Sequence, residues 1–116
     1  MRLHHLITVA AIALTSACGS STSTSGPGPD QVFMQNSAFN PVTRTVSVGT
    51  TVTWMNQDAF AHTVTYSAGP GSAFDSGSIA GGGTYSHTFS VAGTYQYYCT
   101  IHGTPTTGMH ATIVVQ

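Results

Sequence analysis

The chain has 116 residues, only 4% of them charged, and a formal net charge of −1. That length allows one domain, and so sparse a charge excludes the basic footprint of a nucleic-acid-binding protein. It also leaves little field to steer a charged partner, so docking must rely on apolar contact and depend only mildly on salt.

In chain order, residues 1–17 have the layout of a secretory signal. Arg2 precedes an apolar run from Leu6 to Leu14, and the small residues Thr15, Ser16 and Ala17 follow. The run is too short to span a bilayer, so cleavage is expected. Cys18 comes directly after it, as in a bacterial lipoprotein signal, where the cysteine becomes the lipidated N-terminus. The usual Leu is displaced by one position here, to Leu14. Ordinary cleavage after Ala17 would instead leave a free thiol at Cys18. Residues 18–29 are rich in Ser, Thr, Gly and Pro, which suits a flexible spacer. The expectation is an exported chain, periplasmic or at the cell surface, that touches a membrane only through a lipid on Cys18. Its folded domain is residues 30–116.

That domain reads as short strands punctuated by turns, with no helical period. Strands are expected over 31–35, 43–48, 51–56, 62–66, 73–79, 85–89, 94–99 and 111–115, with turns at Asn40-Pro41, Val48-Gly49, Gly69-Pro70-Gly71, Gly81-Gly82-Gly83 and Ala92-Gly93. About eight strands at this spacing predict an all-β, Greek-key, two-sheet antiparallel β-sandwich. Alternation along the last two strands places Tyr95, Tyr97 and Cys99 on one inward face and Met109, Ala111, Ile113 and Val115 on another. His110 points outward. His87 shares a face with Tyr85 and Phe89, which suits packing better than ligation. Trp54 reads as a core aromatic.

Cys99 is the only cysteine beyond the leader and linker, and it lies in a Cys-x2-His-x6-Met run that ends at Met109. A disulfide from Cys18 to Cys99 would tie the core to the spacer, so Cys99 needs another purpose. A buried structural thiol is the plain reading, and Met109 as a gap-filling core residue is its counterpart. A cysteine nucleophile would need a general base and an oxyanion hole, and neither is legible. A thiolate, two imidazoles and a weak axial thioether are, however, the ligand set of a blue-copper site. His62, Cys99, His102 and Met109 are therefore the expected copper ligands, with one Cu(I)/Cu(II) ion per chain. His62 comes from a separate strand, so the site closes only when the sheets pack.

The chain resembles bacterial plastocyanin-like cupredoxins over Gln31 to Val115. The matching runs are Phe39-Asn40-Pro41, Val46 to Asp58, His62-Thr63-Val64-Thr65, Gly93 to His102, and Gly108-Met109. In that family the positions of His62, Cys99, His102 and Met109 bind copper. The resemblance implies a monomeric one-electron carrier, without substrate turnover, that meets redox protein partners through an apolar patch near His102. Ala59, Phe60, Pro70 and Pro105 are expected to frame that patch. Two departures bear on the site. The stretch from His102 to Met109 is longer than in plant plastocyanins, so Gly103 to Thr107 should bulge. Thr63 stands where the family has Asn, whose side chain helps to pin the Cys loop.

Other readings remain at this point. A copper carrier delivering metal to an oxidase would use the same residues. A zinc site of two His and one Cys is disfavoured by Met109, because thioether suits zinc poorly. A metal-free adhesion sandwich would keep His62, Cys99 and His102 apart. A multicopper oxidase would need further paired histidines and more than one domain.

Overall fold

The computed structural model describes residues 26–116, so the leader and the Cys18 signal lie outside the described residues. Eight strands follow one another, and no helix occurs among the described residues. They are β1 (Gln31–Gln35), β2 (Ala38–Asn40), β3 (Thr43–Val46), β4 (Thr50–Asn56), β5 (Thr65–Ala68), β6 (Thr84–Phe89), β7 (Gly93–Gly103) and β8 (Gly108–Val115). One sheet has the order β2-β1-β4-β6 and the other β3-β8-β7-β5. The two-sheet, all-β sandwich is thus as expected, but its sheets are mixed. β1 pairs with β4, and β3 with β8, in parallel.

Alternation explains the core. Val52, Trp54 and Asn56 on β4, Tyr95, Tyr97 and Cys99 on β7, and Met109, Ala111, Ile113 and Val115 on β8 are all buried. The opposite face of β4 carries Thr51 and Thr53, whose hydroxyls bond to Thr88 and Ser86 across to β6 at 2.7 and 2.8 Å. Trp54 is the hub of the aromatic core. Its ring lies 5.4 Å from that of Tyr97, 5.8 Å from Tyr85 and 6.3 Å from both Phe74 and Phe89. His87 packs on Phe74 at 4.5 Å and on Phe89 at 4.8 Å, where burial holds its pKa below the ordinary histidine value.

The strand expected over 62–66 runs instead over Thr65–Ala68, and three further segments differ from the sequence reading. β2 pairs with β1 through a two-residue turn at Asn36-Ser37, where both residues have φ 55°. Positive φ at both central positions is the hairpin turn that matches strand twist. Residues 73–79 form no regular strand, and their only ladder pairings are the isolated bridges His62–Ile79 and Thr65–Asp75. Side chains there compete for backbone groups. Val64 N–H donates to the Ser76 hydroxyl at 2.7 Å, Gly77 N–H donates to Asp75 Oδ1 at 3.0 Å, and Gly77 turns the chain at φ 65°. Third, the end of the spacer is fastened to the sandwich. The Arg44 guanidinium donates to the carbonyls of Gly28 and Gln31, both at 2.9 Å.

Candidate metal centre

β7 and β8 run antiparallel with Tyr98 opposite His110, and pair again at Gly103 opposite Gly108. Between those pairs β7 spends four residues, Cys99 to His102, against Met109 alone. This bulge turns Cys99 and His102 toward one point while Met109 stays on the inward face, 2% exposed. The bulge lies ahead of the segment where the long loop was expected to distort. Gly103 to Gly108 instead closes as a tight hairpin. Thr104 N–H donates to Thr107 O at 2.9 Å, and the two hydroxyls meet at 2.7 Å. A side chain at Gly103 would strike Met109 N at 2.5 Å, so this approach requires glycine.

His62 precedes β5 on the second segment of the site, exchanging backbone hydrogen bonds with Ile79 at 3.1 and 2.7 Å. It is fully buried. Its Nδ1 lies 3.1 Å from His102 Nδ1 and 3.8 Å from Cys99 Sγ, and His102 Nδ1 lies 3.7 Å from the same sulfur. The three donor atoms fall within 4.8 Å of one another. Metal–nitrogen and metal–sulfur bonds of about 2.0–2.3 Å fit between donors so spaced. Soft sulfur beside imidazole is the donor chemistry that serves both copper oxidation states. These residues therefore fit a copper ion.

The surroundings hold that arrangement. Thr63 N–H donates to Cys99 Sγ at 3.3 Å. The Thr63 hydroxyl accepts from Thr100 N–H at 2.9 Å and meets the hydroxyls of Thr65 and Thr100 at 3.0 and 3.3 Å. Thr63 thus pins the Cys loop itself, which answers the question raised by the missing Asn. Thr63→Val keeps the shape but orphans the Thr100 amide, at a cost of about 1 kcal/mol. Hydrogen exchange at that amide should accelerate about fivefold in the copper-free variant.

Sequence reasoning assigned no role to Asp58, yet its Oδ2 lies 2.7 Å from His62 Nε2. Burial raises the Asp58 carboxyl, but the Ser37 amide, the His62 ring and the Asn36 amide outweigh it and leave its pKa below the ordinary value. The available signal was its position four residues before a candidate ligand, because ligating histidines usually give their second nitrogen to a carboxylate or carbonyl. Phe60 lies against both imidazoles, with ring centroids 5.2 Å from His62 and 5.4 Å from His102, and is 48% exposed. Ile101, 52% exposed, extends the apolar rim beside the half-buried His102. Pro70 does not belong to that rim. It abuts Gly93 at the start of β7, whereas His102 stands near the far end. His87 and His110 lie outside the cluster, as expected.

A two-sheet β-sandwich in which one hairpin brings Cys99 and His102 to His62 of a separate segment is the architecture of a cupredoxin. Residues 30–116 match the family of copper binding proteins described as plastocyanin/azurin, and the chain belongs to that family. It is 34% identical over 77 residues to amicyanin-alpha of Methylorubrum extorquens, a match covering 65% of this chain and 65% of that protein. It is 44% identical over 59 residues to amicyanin of Paracoccus denitrificans, covering 49% of this chain and 45% of that one. Both matches therefore span less than two thirds of those relatives. Among solved structures, a purple cupredoxin from Nitrosopumilus maritimus is similar with a TM-score of 0.63 and 27% identity, over 74% of this chain and 98% of that one.

Proposed function

We propose that the chain is a type 1 copper protein that carries single electrons between redox proteins outside the cytoplasm. His62, Cys99 and His102 would hold the ion in this reading, and Met109 would offer a fourth, thioether donor. One observation carries it: three donor atoms of the types copper favours lie within 4.8 Å of one another beneath a packed sandwich. Bound copper supplies a one-electron couple between Cu(I) and Cu(II).

The chain's own residues do the rest. The fold fixes both imidazoles and the thiolate in advance, so a change of oxidation state demands little movement. The Thr63 amide donates to the sulfur and tempers its charge. His102, beside exposed Phe60 and Ile101, is the exit toward a partner. That apolar rim lets two proteins exclude water briefly and separate again. No substrate is turned over. Deep burial of Cys99 and His62 favours keeping the metal over handing it on, which weighs against a copper carrier. Export, cleavage ahead of Cys18 and a lipid on that cysteine belong to the same proposal and rest on the first eighteen residues.

The test is addition of Cu(II) to the copper-free protein. One equivalent should produce an intense visible thiolate-to-copper band that reductant bleaches and oxidant restores. Fast electron self-exchange, with no loss of Cu(I) to a competing apo-protein, supports the carrier of electrons. Ready loss of Cu(I) without that exchange would make the protein a copper donor instead.

A further inference from the structure

His62 turns Nδ1 toward Cys99 and His102, so its other nitrogen, Nε2, is left to carry the proton. That nitrogen meets Asp58 Oδ2 at 2.7 Å, and the Asp58 side chain is only 10% exposed. The carboxylate is held from the other side as well. Asn36 N–H donates to Oδ1 at 2.8 Å and Ser37 N–H to Oδ2 at 3.0 Å. Both donors sit at the tip of the β1–β2 hairpin, and both have φ 55°, which aims successive amides at one anion. The backbone of Asp58 is fixed too, its N–H donating to Asn56 Oδ1 at 2.9 Å. Asn56 in turn donates to the carbonyls of Phe60 and Ile79 at 2.8 and 3.0 Å. Nothing in this chain of contacts depends on the metal.

We propose that Asp58, oriented by the hairpin-tip amides of Asn36 and Ser37, is a positioning residue for His62 that sets the reduction potential of the centre. The inference rests on the copper reading above. Two effects follow from the geometry. The carboxylate locks the ring in one tautomer and one plane, with Nδ1 free to ligate. It also places a negative charge one imidazole away from the ion, which stabilises the more highly charged Cu(II) over Cu(I) and lowers the potential. The β1–β2 hairpin, on the opposite sheet from the Cys99 loop, thereby acts on the centre without touching it.

Asp58→Asn keeps size and removes charge. Its copper-loaded form should retain the visible band, while the ratio of Cu(II) to Cu(I) affinity falls about tenfold, a rise of about 59 mV in potential for one electron. Asp58→Glu, which restores charge on a longer arm, should lie between that variant and the parent. A potential unchanged in Asp58→Asn, with the band intact, overturns the proposal. A parent protein that never develops the band sinks the copper reading itself, a separate outcome. Should Asp58→Asn fail to fold, the copper-free parent decides by nitrogen-15 NMR. A His62 Nε2–H that exchanges slowly supports the clamp, and a ring protonated at Nδ1 or exchanging freely overturns it.

Discussion

Replacing Cys99 with Ser is expected to abolish the intense visible absorption of the copper-loaded protein and leave the copper-free fold standing. The thiol is fully buried and receives one amide hydrogen bond from Thr63, which a hydroxyl can also accept. Ser is nearly the same size, so no cavity opens. What disappears is the thiolate, because only sulfur gives up its proton readily and shares charge with copper. Two imidazoles with their Nδ1 atoms 3.1 Å apart remain and should bind Cu(II) weakly and without strong colour. Loss of an outer partner costs about 10–100-fold in metal affinity, so loss of the thiolate should exceed about 100-fold. The thermal stabilisation that copper gives should shrink with it, since that gain depends on the ratio of free metal to Kd. Absorption, metal titration and melting of the two loaded proteins check each part. A surviving band would remove Cys99 from the centre.

Much of this arrangement was legible because strand parity is unforgiving. Tyr95, Tyr97 and Cys99 had to share a face, as did Met109, Ala111, Ile113 and Val115, and all are buried. The boundaries of β1 and the body of β4 follow from the same alternation. What escaped was governed by local hydrogen bonding. Asn36-Ser37 lacks the glycine that advertises a two-residue hairpin, so β2 was invisible. Ser76 and Asp75 looked like ordinary strand residues until their side chains claimed the amides of Val64 and Gly77. Parallel pairing of β1 with β4 and of β3 with β8 leaves no mark on a single strand's pattern.

The centre divides in the same way. Donor types and spacing announced Cys99 and His102, and the family resemblance singled out His62. How they converge was not readable. The four-against-one bulge in β7 is a matter of register between strands, and spacing along one strand says nothing of it. Thr63 shows the opposite lesson. Its departure from the family's Asn suggested a lost support, yet a hydroxyl one residue past His62 reaches the Thr100 amide at 2.9 Å. The backbone requirement persisted while the side chain that meets it changed. Asp58 was hidden for a related reason, because its partners at Asn36 and Ser37 are remote in sequence and come from backbone amides.

Trp54→Ala should be the most destabilising single change in the sandwich, with little effect on the colour of whatever protein remains folded. The indole is completely buried and packs against Phe74, Tyr85, Phe89 and Tyr97. Its Nε1 has no hydrogen-bond partner among the described residues, so the loss is one of packing. Truncating a buried Trp costs about 3–5 kcal/mol, against a total of about 5–15 kcal/mol for a typical domain. Urea unfolding of the copper-free variant should show that loss, and Trp54→Phe, which vacates less volume, should show clearly less. The ligand loop is held by Thr63 and the hairpin, and the Asp58 clamp by β1–β2 amides, none of which needs the indole. The loaded variant should accordingly keep its band and gain more from copper, in melting temperature, than the parent does. A shifted band in folded Trp54→Ala would instead mean that Tyr97, packed edge-on against the indole two residues before Cys99, passes core strain directly to the sulfur.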